Sequence, residues 1–363
     1  MKTGIETVIA WSGLSLYAAR LLRPVVAAHP VQVVASRARF PFAGLEEHLG
    51  APVHWIDDTR PHTWAEVGLP VPRLFIHTGW NIPGFNSLAG AAARTGAWRV
   101  PMIDNNWQGT PRQWLGRLVY RVAMRRHFDR VIVPGRDGVR FLRRLGTPAQ
   151  RVHVGMYGAD PALFPPGLPG GSRPKTMLFV GQMIERKGLV ELAAAWRASG
   201  AATRGWTLRC FGRGPLESLL QGLPGVTCGG FIQAEELSAE LQRARVLVLP
   251  SRQEHWGVVV HEAALSGCAL IVSSAAGAAA DLLGPGNGLV VPPANAGGLQ
   301  RALEQVFARP PEWFDAASTG SAGRATNFGP HRWLAMYEAL GADLLGANGK
   351  NASLPPAAGS TCS

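Results

Sequence analysis

The sequence is short of several things, and each shortage excludes something. Its 363 residues hold four cysteines, Cys210, Cys228, Cys268 and Cys362, none in CxxC spacing. Neither a zinc site nor a disulfide framework is therefore expected, and a reducing, cytoplasmic setting fits this usage. No uninterrupted apolar run approaches the roughly 18 residues that a membrane-crossing helix needs. The opening "MKTGIETVIAWSGLSLYAARLLRPVVAA" is interrupted by Ser12, Ser15, Arg20 and Arg23, and no cationic segment leads into a long apolar core. It reads as strand, turn and helix rather than as a leader. No strand-like run precedes a GxGxxG turn, which puts an NAD-binding dehydrogenase last among the enzymes considered. His, Asp and Glu are too dispersed for ligand spacing, so no metal site is expected. Acids are scarce: 24 Asp and Glu stand against 36 Lys and Arg, a formal net charge of +12. Such a chain suits an anionic partner, whether nucleic acid, an anionic bilayer or a phosphorylated small molecule. A basic nucleic-acid-binding protein would account for the charge, but no RNA- or DNA-reading motif accompanies it.

What is present is a globular pattern, 47% hydrophobic and 17% charged, long enough for two domains. Short, often β-branched runs alternate with helical-period segments, as in parallel sheets covered by crossover helices. "ETVIAW", "VQVVAS", "RLFIHT", "RVPMID", "RVIVPG" and "RVHVGM" form a first strand series. "TMLFVG", "TLRCFG", "VTCGGF", "VLVLPS", "ALIVSS" and "GLVVPP" form a second. Between them "YGADPALFPPGLPGGSRPK" is rich in Pro and Gly, without strand or helix period, and reads as a linker. The expected class is α/β, with two Rossmann-like domains over residues 1–165 and 172–326 facing a cleft. A terminal helix over 329–346 packs back on the first domain. Residues 347–363 form a flexible tail in which the Asn351-Ala-Ser sequon is incidental. Ligands of such open sheets settle at the carboxyl ends of the strands.

The stretch "VLVLPSRQEHWGVVVHEAALSG" sits at such an end. A buried strand stops at Pro250, a polar loop carries Glu254, and a helix starts near Trp256 or Gly257 and runs to Gly267. The N–H groups of Gly257, Val258 and Val259 are then free helix-start donors, an anion site. Glu262 follows about 7 to 8 Å along the axis. With a diphosphate at the helix start, one carboxylate reaches a ribose and Glu254 reaches the group beyond the phosphates. An exposed loop acid and an exposed helix acid would produce the same letters.

The spacing Glu, seven residues, Glu, followed by small residues, a glycine and a strand, resembles the retaining GT-B glycosyltransferases of family 4, glycosyltransferase group 1. The resemblance implies that Glu254 faces the hydroxyls of a nucleotide-linked sugar and Glu262 the ribose. "MLFVGQMIERKGLVELAAAW" is similar to the family's strand, glycine turn and Arg-Lys-Gly segment. Lys187 there would face the diphosphate as a compact cation, with Arg186 assisting. Gln182 departs from the arginine many members carry after the strand, leaving more phosphate charge to Lys187, Arg186 and the helix start. "YGADPALFPP" (Gly158, Asp160, Phe164, Pro165), "CFGRGPLESL" (Gly212, Gly214, Pro215) and "GGFIQAEELSAEL" follow in the family's order. Backbone atoms near Phe231 and Ile232 would hold the base.

The first half matches only in layout. Gly13 in "AWSGLSLYAA" stands where relatives have a glycine-rich loop near the donor phosphates, though an ordinary strand-to-helix turn explains it as well. His77 and Asp104 both follow strands and could face the cleft as catalytic groups or as wall residues; Asp104 occupies roughly the place of a histidine in relatives. In the most basic stretch, Trp114, Leu115, Leu118, Val119 and Val122 recur on one helical face and Arg117, Arg121 and Arg125 on another. Two readings fit equally: a core-packing helix, or a surface that brings the enzyme to anionic headgroups and a lipid-linked acceptor.

The expectation is a retaining, metal-independent glycosyltransferase. It moves a sugar from a UDP- or GDP-sugar, a co-substrate rather than a cofactor, to a glycan or lipid-linked acceptor in bacterial envelope or exopolysaccharide synthesis. Its setting is the cytoplasm, at the inner face of the membrane. A nucleotide-sugar epimerase or a phosphorylase of the same architecture is the alternative.

Overall fold

A computed structural model describes residues 4–38 and 42–351 of the chain. The part of the expected tail beyond Asn351, with Cys362, lies outside the described residues.

Among the described residues, thirteen strands form two sheets. The first is built from β1 (Thr7–Leu14), β2 (Val31–Arg37), β3 (Val53–Trp55), β4 (Leu74–Thr78), β5 (Trp98–Met102), β6 (Val131–Val133) and β7 (Val152–Val154). The second holds β8 (Thr176–Val180), β9 (Thr207–Phe211), β10 (Val226–Cys228), β11 (Val246–Leu249), β12 (Ala269–Ser273) and β13 (Gly288–Val291). The strand orders are β3-β2-β1-β4-β5-β6-β7 and β10-β9-β8-β11-β12-β13. Neighbours run parallel, as in the registers Ile9 with Val33 and Ile76, or Val248 with Ile271. Every residue of β4, β11 and β12 is buried, as continuous Val/Ile/Leu runs predict for strands covered on both faces. The unanticipated strand is β3, a three-residue edge with only Val53 buried.

In each sheet the order reverses, between β1 and β4 and between β8 and β11. Such switch points open a crevice beyond the carboxyl ends of the two strands concerned. In the second sheet those ends lead into residues 181–188 and 250–257, which carry the Arg-Lys-Gly segment and Glu254.

By compactness the chain divides into residues 1–101, 128–130 and 331–363, and residues 102–127 with 131–330. In the first unit the terminal helix Pro330–Asn351 is fastened to β1 and its surroundings. Tyr337 Oη lies 2.8 Å from Thr7 Oγ1, Glu338 is 3.4 Å from His29, and Asp343 accepts from Arg130 at 2.8 Å. In the second unit the Pro/Gly-rich segment read as a linker is packed down. Phe164 is 2% exposed within the core around β8 to β13. Ala159 N–H donates to His261 Nδ1 at 2.8 Å, and Ser238 Oγ donates to the Leu163 carbonyl at 2.6 Å. Arg173, 1% exposed, donates to the carbonyls of Leu168, Ala244 and Ser266 at 2.7 to 2.9 Å. A buried guanidinium satisfied by carbonyls is stable where an unpaired one would not be. Among the described residues no helix is long and apolar enough to cross a membrane.

Candidate active site

Two loops of the second unit are locked together before any functional group is placed. After β8 the chain makes a single 3-10 turn, Glu185–Lys187, and Gly188 then opens the helix Leu189–Ala198. Gly188 has φ +74°, and a Cβ there would lie 2.2 Å from the Pro250 carbonyl, so only glycine lets the turn approach the loop after β11. Arg252 N–H donates to the Arg186 carbonyl at 2.8 Å, and Arg186 Nη1 donates to the Gln253 carbonyl at 2.9 Å. The Arg252 guanidinium in turn reaches Glu191 at 2.8 Å and also pairs with Glu185. The sequence reading did not find this Arg252–Glu191 clamp, whose two residues lie 61 positions apart.

The clamp delivers Glu254, 9% exposed, to Lys187. Lys187 Nζ is hydrogen-bonded to Glu254 Oε2, Arg186 Nη1 stands 3.8 Å from Oε1, and Ser251 Oγ is 3.5 Å from Oε2. The Lys187 side chain also runs past Gly181, within 3.6 Å of where a Cβ would stand. The ammonium has three donors, so one bond to Glu254 leaves two for a ligand. Gly257, φ +90°, then caps the helix Val258–Leu265, and no side chain caps that end. The start of this helix therefore keeps its positive pole and unfilled N–H groups.

Glu262, in the middle of the same helix, is half-buried. Burial pushes its carboxyl up to about 7, and no charge or hydrogen bond offsets that. Among the described residues no side-chain hydrogen bond or ion pair is made to this carboxyl, which leaves it to accept hydrogen bonds from a ligand.

Asp104 joins the cluster through residues not singled out from the sequence. Tyr157 Oη donates to Asp104 Oδ2 at 2.9 Å, and His255 Nδ1 lies 3.1 Å from the Asp104 carbonyl and 3.6 Å from Oδ1. Asn106 Nδ2 spans the carbonyls of Glu254 and His255 at 3.0 and 3.1 Å. His255 is thus held at one nitrogen beside Glu254. Its position directly after the first acid of the pair was the available signal.

The other expected residues are placed differently. Gln182 is exposed beside the turn, Phe231 is exposed, and Ile232 is partly packed on the core. No hydrogen bond or ion pair ties these three to the Lys187–Glu254 pair among the described residues. Val258 and Val259 are also partly packed on the core, so only their backbone serves the helix start. Trp256, expected at the donor, is 2% exposed, with its ring 5.1 Å from Phe328. Its large apolar surface belongs to the core, which corrects that expectation.

Gly13 and His77 belong to the first unit. Gly13 does adopt φ +63°, but its N–H donates to Ser36 Oγ at 2.8 Å, and Ser36 Oγ donates to Asp58 at 2.8 Å. That donor is already committed, so the phosphate role does not fit it. His77 is 1% exposed and stacked 5.2 Å from Phe75. Burial pushes its imidazole down to about 4, against weaker support from the backbone of Thr78 and Gly79. It is a neutral wall residue and not a solvent-facing catalytic group. The first unit also holds an open cavity of about 580 Å³ lined by Ser36, Trp55, Asp58, Arg60 and His62. None of the sequence-selected residues lines it, and the chemistry gathers around Glu254 instead.

The family described as glycosyl transferases group 1 matches residues 174–309, the span that contains Lys187, Glu254 and Glu262. Glycogen synthase of Mycobacterium tuberculosis is 30% identical over 144 residues, 38% of this chain and 35% of that protein. The chain thus matches about a third of the length of that relative. Among solved structures, a glycosyltransferase from Rickettsia africae aligns with TM-score 0.72 at 12% identity, covering 94% of this chain and 99% of that one. Anabaena HepE in complex with UDP and glucose aligns with TM-score 0.70 at 15% identity, over 94% and 100%. Sucrose-phosphate synthase from Thermosynechococcus elongatus aligns with TM-score 0.67 at 20% identity, over 94% and 100%. Residues 174–309 match the glycosyl transferases group 1 family, and the chain as a whole has a two-domain α/β fold of the GT-B kind.

Proposed function

We propose that the protein is a retaining, metal-independent glycosyltransferase of family 4, using a nucleotide-diphosphate sugar as donor and a hydroxyl of a glycan or lipid-linked acceptor. The observation that carries this reading is the order of groups along one short path. Glu254 lies beside Lys187 and Arg186, the uncapped helix start follows at Gly257, and the unpartnered Glu262 lies beyond. That order matches sugar, diphosphate and ribose. The donor domain we infer is residues 172–326 together with the packed segment from Tyr157, and the acceptor domain is the chain before it with the terminal helix. Glycogen synthase and the HepE complex with UDP and glucose support UDP-glucose as the first donor to test, with GDP-sugars next.

When the sugar leaves, charge builds on the β-phosphate. Lys187 and the N–H groups at the helix start meet it, which lowers the barrier because they are placed before the charge appears. Glu254 serves twice, fixing Lys187 and accepting from sugar hydroxyls. Asp104, through His255, and Asn106 hold the backbone of the loop that carries Glu254. The setting we infer is assembly of the bacterial envelope or exopolysaccharide at the cytoplasmic face of the membrane.

Thermal shift across UDP-, GDP- and ADP-sugars tests the donor, because a ligand that binds only the folded state raises apparent stability. A rise with at least one nucleotide sugar, reduced by Glu262→Gln, is expected. No rise with any nucleotide sugar or free nucleotide would sink the proposal. Epimerisation of a bound donor without acceptor would favour the epimerase instead.

A further inference from the structure

The helix Pro111–Val119 and the turns that continue it, Tyr120–Met124 and Arg125–His127, bury only Tyr120. Yet the segment is rich in large apolar side chains. Trp114 is 54% exposed, Leu115 65%, Leu118 61%, Val119 48% and Val122 70%. Single exposed apolar residues are ordinary, but five at helical spacing on one face are not. The core-packing alternative read from the sequence is therefore excluded for this face.

The opposite side is docked. Tyr120 Oη meets Thr147 Oγ1 at 2.9 Å, and Arg121 Nε donates to the Leu145 carbonyl at 3.2 Å. Trp114 leans edge-on against Trp107 at 5.3 Å. The stripe is thus held outward by its own back face.

Residues 105–127 contain five arginines, Arg112, Arg117, Arg121, Arg125 and Arg126, and no Asp or Glu. Arg117 lies over the Trp114 ring and Arg125 donates to the Gly146 carbonyl, and neither pairs with a carboxylate among the described residues. At about 100° per residue, Arg117 borders one edge of the stripe and Arg112 the other, while Arg121 is turned back to the Leu145 carbonyl.

We propose that this stripe docks in the plane of an anionic bilayer surface. Trp114, Leu115, Leu118 and Val122 would sit at the acyl boundary, with the arginines on headgroup phosphates. The pairing of the two features selects the occupant. A second copy of the chain would set five arginines against five more. A nucleic acid would satisfy the guanidinium groups and leave the aliphatic stripe in water. An anionic bilayer meets both at once. The inference deepens the proposed function, since it brings the enzyme to a lipid-linked acceptor, and rests on that reading for its purpose alone.

The test is flotation of the full chain with phosphatidylcholine vesicles, with and without phosphatidylglycerol, at low and high salt. Binding is expected to need the anionic lipid and to weaken with salt. Leu118→Ser with Val122→Ser, both at exposed positions, should weaken it about tenfold or more. Arg112→Gln, Arg117→Gln and Arg126→Gln together should weaken it on the order of a hundredfold. No flotation, equal flotation with neutral vesicles, or unchanged binding by these variants would overturn the proposal. So would a dimer in light scattering that Leu118→Ser dissolves, or tight salt-sensitive binding of RNA in place of vesicles. Nucleotide-induced thermal shift is measured on the same proteins. Its absence from the wild type would fail the transferase reading while leaving the flotation result intact.

Discussion

Replacing Glu262 by glutamine should make the protein more stable while making it a poorer binder of nucleotide. The carboxyl rises from 4.5 to about 7 in the folded state, with burial as the cause. At about 1.4 kcal/mol per pH unit, the ionised form costs the fold up to about 3 kcal/mol, less whatever water reaches this half-buried group. The sign follows from where the proton sits. Between pH 4.5 and 7 the folded protein keeps a proton that the unfolded chain has lost, so stability falls as pH climbs through that window and levels off above it. Glutamine has no such dependence. Chemical denaturation of both proteins from pH 4 to pH 8.5 should show the variant drawing ahead of wild type across the window, with the full margin by pH 8. Its nucleotide affinity should drop about tenfold to a hundredfold, the range for lost hydrogen bonds to a charged group. A wild type as stable as the variant at pH 8, or a difference that does not change with pH, would refute the assignment of an unpartnered, desolvated carboxylate.

Lys187→Ala should cut turnover by about a hundredfold to a thousandfold while leaving the fold intact, and Glu254→Gln should slow transfer more than it weakens nucleotide binding. Near wild-type turnover in the purified lysine variant would remove Lys187 from the chemistry. Gly188→Ala forces a Cβ to within 2.2 Å of the Pro250 carbonyl at φ +74°. It should lower stability by about 2 kcal/mol or more in denaturant titration, and an unchanged midpoint would show that the two loops are not locked there. His255→Ala and Asp104→Asn should be non-additive in kcat/KM, with a coupling of about 0.5 to 3 kcal/mol in a double-mutant cycle. Additive effects would mean that the two residues act separately.

Much of the second unit could be read in advance because its strands are continuous apolar runs buried on both faces. All six expected strands from "TMLFVG" to "GLVVPP" are present within a few residues of their expected ends. Glu254, Lys187 and Glu262 were legible because strand, turn and helix start place them by short-range rules. His255, Asn106, Tyr157 and the Arg252–Glu191 clamp were not, since each depends on partners tens of residues away or more. His77 and Trp256 show the reverse error. A polar atom on a large ring suggests a site, but the ring's apolar area decides where the side chain goes. The three-residue strand β3 offered too short an alternation to detect.

The segment 157–175 has one practical consequence. Its composition invites a cut near Ser172 to obtain the donor unit alone. Such a cut would pull Phe164 from its socket, strip His261 Nδ1 of the Ala159 N–H, and remove the carbonyl that Ser238 binds. A self-sufficient donor fragment must start no later than Tyr157, and a protease offered the native protein should pass over this stretch despite its prolines and glycines.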